Sequence, residues 1–238
     1  MSDPEPILKI DSISNPDNIW QIGAPQKNVL NSAQSFPNVI ITDSVDTYPV
    51  NDTSRFTIES TAINPSNSIN WFFCSLEFDY NVDSDSLSDF GLIEFSPDNG
   101  NTWIDLMNDP FYLNHVTWIV DNYGDSIPSL SGTSNGWSHV TLNWHSLAEY
   151  LAIQPGTTFI WRFSFISDGT QNNRDGLMFD NISIEVSPPI KVVEENNNNK
   201  KEIFKVFDLM GRETLLKSNT VLIILYKDGT REKVFLTN

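Results

Sequence analysis

Residues 159 to 166, FIWRFSFI, alternate strictly, with Phe159, Trp161, Phe163 and Phe165 on one side and Ile160, Arg162, Ser164 and Ile166 on the other. A period of two marks an extended strand, because successive side chains point to opposite sides of the pleat. One of its faces is wholly aromatic, and such a face must be buried against a second layer. The polar connection SDGTQNNRDG, 167 to 176, then leads to Leu177, Phe179, Ile182, Ile184 and Val186. Two long strands therefore frame an acidic loop that carries Asp168, Asp175 and Asp180.

The chain before this pair repeats the signal. The apolar run at 7 to 10 offers a first strand, a motif-like segment runs from Trp20 to Asp43, and strand patterns recur at 55 to 60, 69 to 82, 90 to 96, 102 to 106, 115 to 120 and 137 to 144, separated by Pro, Gly, Asn and Asp. Short strands at such spacing predict an all-β sandwich. The one helix candidate in this region is HSLAEYLA, 145 to 152. At Ser187-Pro188-Pro189 the pattern stops and the Asn-rich run KVVEENNNNKK follows, which reads as a linker over 191 to 200. Residues 1 to 190 hold five basic and 24 acidic side chains, a balance of −19, against nine and seven, or +2, in 191 to 238. All seven tryptophans precede the linker. The tail, 201 to 238, shows three further strands, IFKVFDL, TVLIILYK and REKVFLT, with Gly211 and Asp228-Gly229 at turns. The expected fold is a jelly-roll β-sandwich over 1 to 190 and a second, small β-sandwich-like domain at the end.

Charge and composition remove several function classes. A net charge of −17 repels phosphate backbones, so nucleic acid is not an expected partner. The same surface suits calcium, and equally serves as a solvated acidic coat. One cysteine, Cys74, leaves no intramolecular disulfide and no cysteine-based zinc site. No apolar run is long enough to predict a transmembrane helix. The opening MSDPEPILKI has neither the basic nor the apolar region of a signal peptide, so an exported form of this chain is expected to be mature or trimmed. Of three histidines, His139 and His145 lie on or beside one strand, about 20 Å apart at strand rise, without zincin spacing. Glu59, Glu77, Glu94 and Glu149 offer carboxylates, but no spacing selects a pair for glycoside hydrolysis. No nucleophile elbow or phosphate loop occurs, and no catalytic residue is expected.

Ser96-Pro97-Asp98-Asn99-Gly100-Asn101-Thr102-Trp103 fits S-x-D-x-G-x-T-W and resembles the Asp-box hairpin of sialidases and many secreted β proteins. Its parts have local roles: Asp98 to bond amides across the turn, Gly100 to take positive φ, and Trp103 to pack beneath. Taken with Trp20-x-x-Gly23-x-Pro25, Ala33 before VIITD, Gly136-Trp137, WRFSFISDG and DGLMFDNISI, the hairpin makes residues 15 to 187 similar to the MAM-like jelly-roll modules of secreted Bacteroidetes proteins. That resemblance implies a binding module on an exported protein, and a structural calcium held near the last strand by Asp168, Asp175 and Asp180. The alternative for the three aspartates is ordinary turn and strand capping. Asp83, Asp85 and Asp89 form a second acidic group without the glycine and terminal glutamate of an EF-hand.

The tail resembles the C-terminal sorting domain of the type IX secretion system. The likeness rests on KVFDLMGRE at 205 to 213, the KDGT turn at 227 to 230 and the closing KVFL at 233 to 236, with Asp208, Gly211, Arg212, Asp228 and Gly229 as the motif residues. It implies passage to the outer surface through that machinery. Trp118, Trp137 and Trp144, with Tyr112 and Tyr123, are candidates for an aromatic platform against sugar rings, and equally candidates for the core. The combined expectation is a non-catalytic, secreted or surface-held module that engages glycan or a surface protein. An accessory domain of a larger exported hydrolase or peptidase, and a purely structural matrix protein, are the alternatives.

Overall fold

The computed structural model describes residues 7–60, 73–124, 126–144, 157–170, 173–187, 202–208, 210–227 and 229–236. In chain order the strands are β1 (Ile7–Ile10), β2 (Trp20–Gly23), β3 (Val39–Thr42), β4 (Thr53–Glu59), β5 (Phe73–Asp83), β6 (Phe90–Ser96), β7 (Ile104–Asp105), β8 (Val116–Val120) and β9 (Tyr123–Gly124). They continue with β10 (Ser138–Trp144), β11 (Ile160–Ile166), β12 (Gly176–Ser187), β13 (Ile203–Phe207), β14 (Thr220–Tyr226) and β15 (Arg231–Leu236). A single helical turn, α1 (Pro110–Leu113), precedes β8; the Asp109 carboxylate accepts from Phe111 N at 2.9 Å and Pro110 opens the turn, the usual start signals on a small scale. The helix candidate at 145 to 152 lies outside the described residues, as do residues 69 to 72 of the expected strand there. The strand expected at 102 to 106 is only the two-residue β7.

The chain divides into two compact units, Met1–Pro189 and Ile190–Asn238. The first is an all-β sandwich. One sheet runs β1-β4-β11-β6-β7 and the other β2-β3-β12-β5-β10-β8-β9, all neighbours antiparallel. The path alternates between sheets, β3 to β4 to β5 to β6 and again β10 to β11 to β12, which is the interlocked Greek-key order of a jelly roll.

The aromatic face of β11 lies between the sheets. Phe159, Trp161, Phe163 and Phe165 are all 0% exposed. Phe163 is opposite Phe56 on one side and Ile93 on the other, and its ring stacks on that of Phe56 at 4.8 Å. From the second sheet come Phe78 and Phe179, whose rings meet Phe163 edge-on at 6.0 and 5.1 Å. Gly91 is demanded by this packing, since a Cβ there would stand 2.6 Å from Leu177 and 2.9 Å from Leu130.

The second unit differs from the expected sandwich. Among the described residues it is one three-stranded antiparallel sheet, β13-β14-β15. Val206, Leu222 and Ile224 are buried, while Phe204 and Phe235 stay more than half exposed.

Candidate functional site

The outer face of the seven-stranded sheet is divided into a covered half and an open half. Over β3 and β12 lies the segment 24 to 38, which closes a small apolar cluster of Leu30, Val39, Ile41 and Met178 with Ala33 and Trp137 at its edge. This cluster is slight, and the segment is held mainly by polar bonds. The Asp175 carboxylate accepts from Val29 N at 2.6 Å and Leu30 N at 2.9 Å. The Asp180 carboxylate accepts from Ser35 N at 2.6 Å and Ser35 Oγ at 2.7 Å. Both aspartates are buried, and amide donors satisfy charge that would otherwise be costly there.

The three aspartates expected to hold calcium therefore serve separate bonds. Asp168 is exposed and its carboxylate accepts from Thr170 N at 2.6 Å. Among the described residues, no group of three His, Cys, Asp or Glu converges as a metal site. The second acidic group is likewise engaged. Asp83 accepts from Arg174 Nη1 at 2.8 Å, Thr133 Oγ1 at 3.1 Å and Asp175 N at 3.1 Å. Asp89, fully buried, accepts from Tyr48 Oη at 2.6 Å and Asp168 N at 2.7 Å. Burial and that bond to Asp89 push the Tyr48 phenol well above its ordinary range.

A cation not singled out in the sequence stands at the centre of this junction. Lys27 is buried, and its Nζ donates to the main-chain carbonyls of Thr42 and Asp175. Burial pulls its pKa from 10.5 down to about 8, against the pull of Asp43, Asp175, Asp46 and Asp83 in the other direction. The available signal was its rarity, as one of five basic side chains in 190 residues.

The open half lies over β5, β10 and β8. Register places Glu185, Ser75, Asn143 and Thr117 in one row, Ser183, Glu77, Thr141 and Ile119 in the next, and Asp180, Asp79 and His139 in a third. These side chains point away from the core, since the alternate residues Leu76, Phe78, Val140 and Leu142 are fully buried in it. His139 is fixed by its neighbours. Its Nδ1 lies 2.8 Å from Asp79 Oδ1, and Asn181 Nδ2 donates to the other Asp79 oxygen at 2.6 Å. With Nδ1 carrying the proton toward the carboxylate, Nε2 is directed toward Thr141 Oγ1, 3.5 Å away. Asn181 sits in a bulge of β12 at φ 51°, a conformation that asparagine tolerates.

The expected aromatic platform is not on this face. Trp118 is 2% exposed and Trp144 1% exposed. Trp118 donates Nε1 to Leu106 O at 3.1 Å, and Trp144 packs edge-on against Phe95 at 4.6 Å. Tyr112 is half-buried against Trp144. Extracting a buried tryptophan costs about 3–5 kcal/mol, more than the roughly 0.5–1.5 kcal/mol of an added ring contact, so these rings are core. Trp137 is half-buried at the margin of the covered half and donates to Ser32 O at 3.2 Å. Tyr123 is 76% exposed, but it pairs with Val120 and shares that residue's core side of the sheet, not the side of His139.

The carboxylates considered for catalysis are dispersed. Glu59 pairs with Lys9, and Glu94 binds Arg162 through two bonds of 2.6 Å. The Arg162 guanidinium in turn lies 3.7 Å from the centre of the Trp103 ring. Glu149 and His145 are outside the described residues. The S-x-D-x-G-x-T-W hairpin forms as its local chemistry requires. Asp98 accepts from Thr102 N at 2.7 Å, Thr102 Oγ1 at 2.8 Å and Ser96 Oγ at 2.9 Å, and Gly100 has φ 85°. Partial burial raises the Asp98 pKa, but these bonds outweigh it and hold the carboxyl below its ordinary value.

In the tail, the D-L-x-G-R motif closes a turn on itself. The Asp208 carboxylate accepts from Met210 N, Arg212 N and Arg212 Nε at 2.9, 3.0 and 2.8 Å, with Gly211 at φ 78°. Gly229 has φ 82° in the β14–β15 turn; Asp228 lies outside the described residues. No family model matches the chain, and no curated protein was found to be significantly similar to it.

Proposed function

We propose that this chain is a non-catalytic binding module whose ligand is a glycan, held by hydrogen bonds along the open half of the outer sheet face. The observation that carries the reading is the run of outward side chains Glu77, Thr141, Asn143 and Thr117 across three strands, beside a histidine oriented by Asp79 and Asn181. Such a surface offers donors and acceptors on a rigid backbone, which suits a polyhydroxylated chain better than an apolar partner. Its acidic side chains, Glu77, Asp79 and Glu185, disfavour anionic polymers, nucleic acid included. The tail is proposed to direct export through a type IX-like system to the outer surface, on the strength of its motif turns.

A glycan array probed with the full chain tests the first part. Binding is expected, and Glu77→Lys or Asn143→Ala is expected to weaken it about tenfold or more at unchanged thermal stability. A blank array, or full affinity in both variants, refutes it. For export, residues 190 to 238 fused to a reporter behind a signal peptide should reach the surface of a type IX-competent bacterium; periplasmic retention refutes that assignment.

A further inference from the structure

An asparagine amide is chemically labile, and most so before glycine, where no Cβ shields the following backbone nitrogen from reaching the side-chain carbonyl. Asn-Gly occurs twice in this chain, at Asn99-Gly100 and at Asn135-Gly136. The fold treats the two differently. At the first, Asn99 Oδ1 accepts from Thr158 N at 2.8 Å, and Gly100 N donates to Ser96 Oγ at 2.7 Å. The carbonyl that would be attacked and the nitrogen that would attack it are each held by a different partner. At the second, Asn135 and Gly136 are both exposed, and a Cβ on Gly136 would meet nothing within 4 Å. Among the described residues no hydrogen bond holds the Asn135 side chain or the Gly136 amide.

The unheld pair joins two fixed points. Before it, Ser134 N donates to Val82 O at 2.9 Å and Ser134 Oγ donates to Asn81 Oδ1 at 2.6 Å. After it, Trp137 Nε1 donates to Ser32 O at 3.2 Å, at the edge of segment 24 to 38, and Ser138 opens β10 opposite Tyr80. We propose that Asn135 is a site of spontaneous modification, converted through a cyclic imide to isoaspartate and aspartate, while the fold preserves Asn99 as asparagine. Gly136 N, losing its proton to solvent base, bonds to the Asn135 side-chain carbonyl carbon, and the side-chain nitrogen leaves as ammonia. Water then opens the imide: cleavage of the new bond gives aspartate, and cleavage of the original peptide bond gives isoaspartate. The net change is one water taken up and one ammonia released, with no oxidant or cofactor. Isoaspartate adds one backbone atom between Ser134 and Trp137, so the Trp137 bond to Ser32, at the margin of the open sheet face, is the contact that loosens.

Peptide mass mapping of the full chain, aged at mildly alkaline pH, tests this, with isoaspartyl methyltransferase as the probe for isoaspartate. In the folded chain the mass gain of amide replaced by carboxylate is expected at Asn135, together with methyl label. Opening the two bonds at Asn99 and Gly100 before attack is expected to slow conversion there by about tenfold or more. In urea both sites should convert at similar rates, since the fold is then no longer protecting one of them. Asn135→Gln, whose longer side chain closes the imide ring poorly, should take neither mass gain nor label at that position. Exchange of the Trp137 indole proton should be faster in the aged wild type than in the fresh chain, and unchanged on ageing in Asn135→Gln. An Asn135 that stays intact in the folded chain while converting in urea overturns the proposal, as does conversion of Asn99 as fast as Asn135 in the folded chain. Label at Asn135 with Trp137 exchange unaltered overturns the structural consequence.

Discussion

Burial of Lys27 makes a quantitative prediction about alkaline stability. Its pKa falls from 10.5 to about 8 in the folded chain. A difference of about 2.5 in pKa, at 1.36 kcal/mol each, is roughly 3 kcal/mol. The sign follows from proton counting: between about pH 8 and 10.5 the unfolded chain binds the proton and the folded chain releases it. Stability therefore rises with pH across that window instead of falling. The neutral amine retains two N–H groups for its two carbonyl acceptors, so deprotonation does not break the junction. Tyr48 works in the opposite sense, because its raised phenol pKa is a stability contribution lost as pH climbs past its unfolded value. Comparison with Lys27→Met removes that contribution, since both chains carry Tyr48. Urea unfolding of the two chains at steps from pH 7 to 10.5 is expected to show the wild type gaining about 3 kcal/mol relative to the variant. The offset at pH 7 is immaterial. A difference that stays flat, or that shrinks as pH rises, refutes the burial argument.

Three other substitutions probe the remaining elements. Gly176→Ala places a Cβ against Thr42 in a left-handed backbone and should cost more than about 3 kcal/mol or prevent folding; a urea midpoint near that of the wild type contradicts the close approach. Asp98→Ala removes the acceptor for Thr102 and Ser96 and should cost about 1–2 kcal/mol. Because the Asp98 pKa is depressed, that contribution is present above its unfolded pKa and disappears on acidification, so the variant and the wild type should converge in stability at low pH. Trp144→Ala should cost about 3–5 kcal/mol from a site 1% exposed; a loss below 1 kcal/mol, with glycan binding abolished, would return that ring to the ligand.

What the sequence showed plainly was local. FIWRFSFI announced a buried face by its period, S-x-D-x-G-x-T-W announced a hairpin by its turn residues, and D-L-x-G-R closes within five positions. The placement of Trp118 and Trp144 is legible in strand parity: Val140, Leu142 and Trp144 share one parity on β10, and Val116, Trp118 and Val120 share one on β8. A tryptophan in phase with aliphatic residues belongs to their face. The aspartate partners were not legible. Asp175 reaches Leu30 across 145 positions, as Asp180 does Ser35, and no spacing rule spans such a distance. SDG and RDG read as turns in either case, so the aspartates' identity as loop anchors emerged only from the fold. The expected second layer of the tail is not found among its described residues, whose three strands form one sheet.

The boundary between the covered and open halves of the sheet has a physical cause. Apolar burial alone would let segment 24 to 38 slide, since Leu30, Val39, Ile41 and Met178 form a cluster of only four buried residues. The charge-assisted bonds are directional and set where the cover ends. Asp180 makes the last of them, to Ser35, on the strand beside β5. One strand further, the carboxylate of Asp79 turns instead to His139 and Asn181, and no amide of the segment is bound. The two aspartates are register partners across β12 and β5, so adjacent positions on one sheet face have opposite tasks: one secures the cover, and the other orients the first side chain of the uncovered field. Severing the Ser35 bond should therefore loosen the cover, whereas Asp79→Ala should release His139 and leave the cover in place. Amide exchange at Ser35 separates the two: faster exchange in Asp180→Ala and unchanged exchange in Asp79→Ala is the expected result, and equal acceleration in both would mean that the halves are one unit.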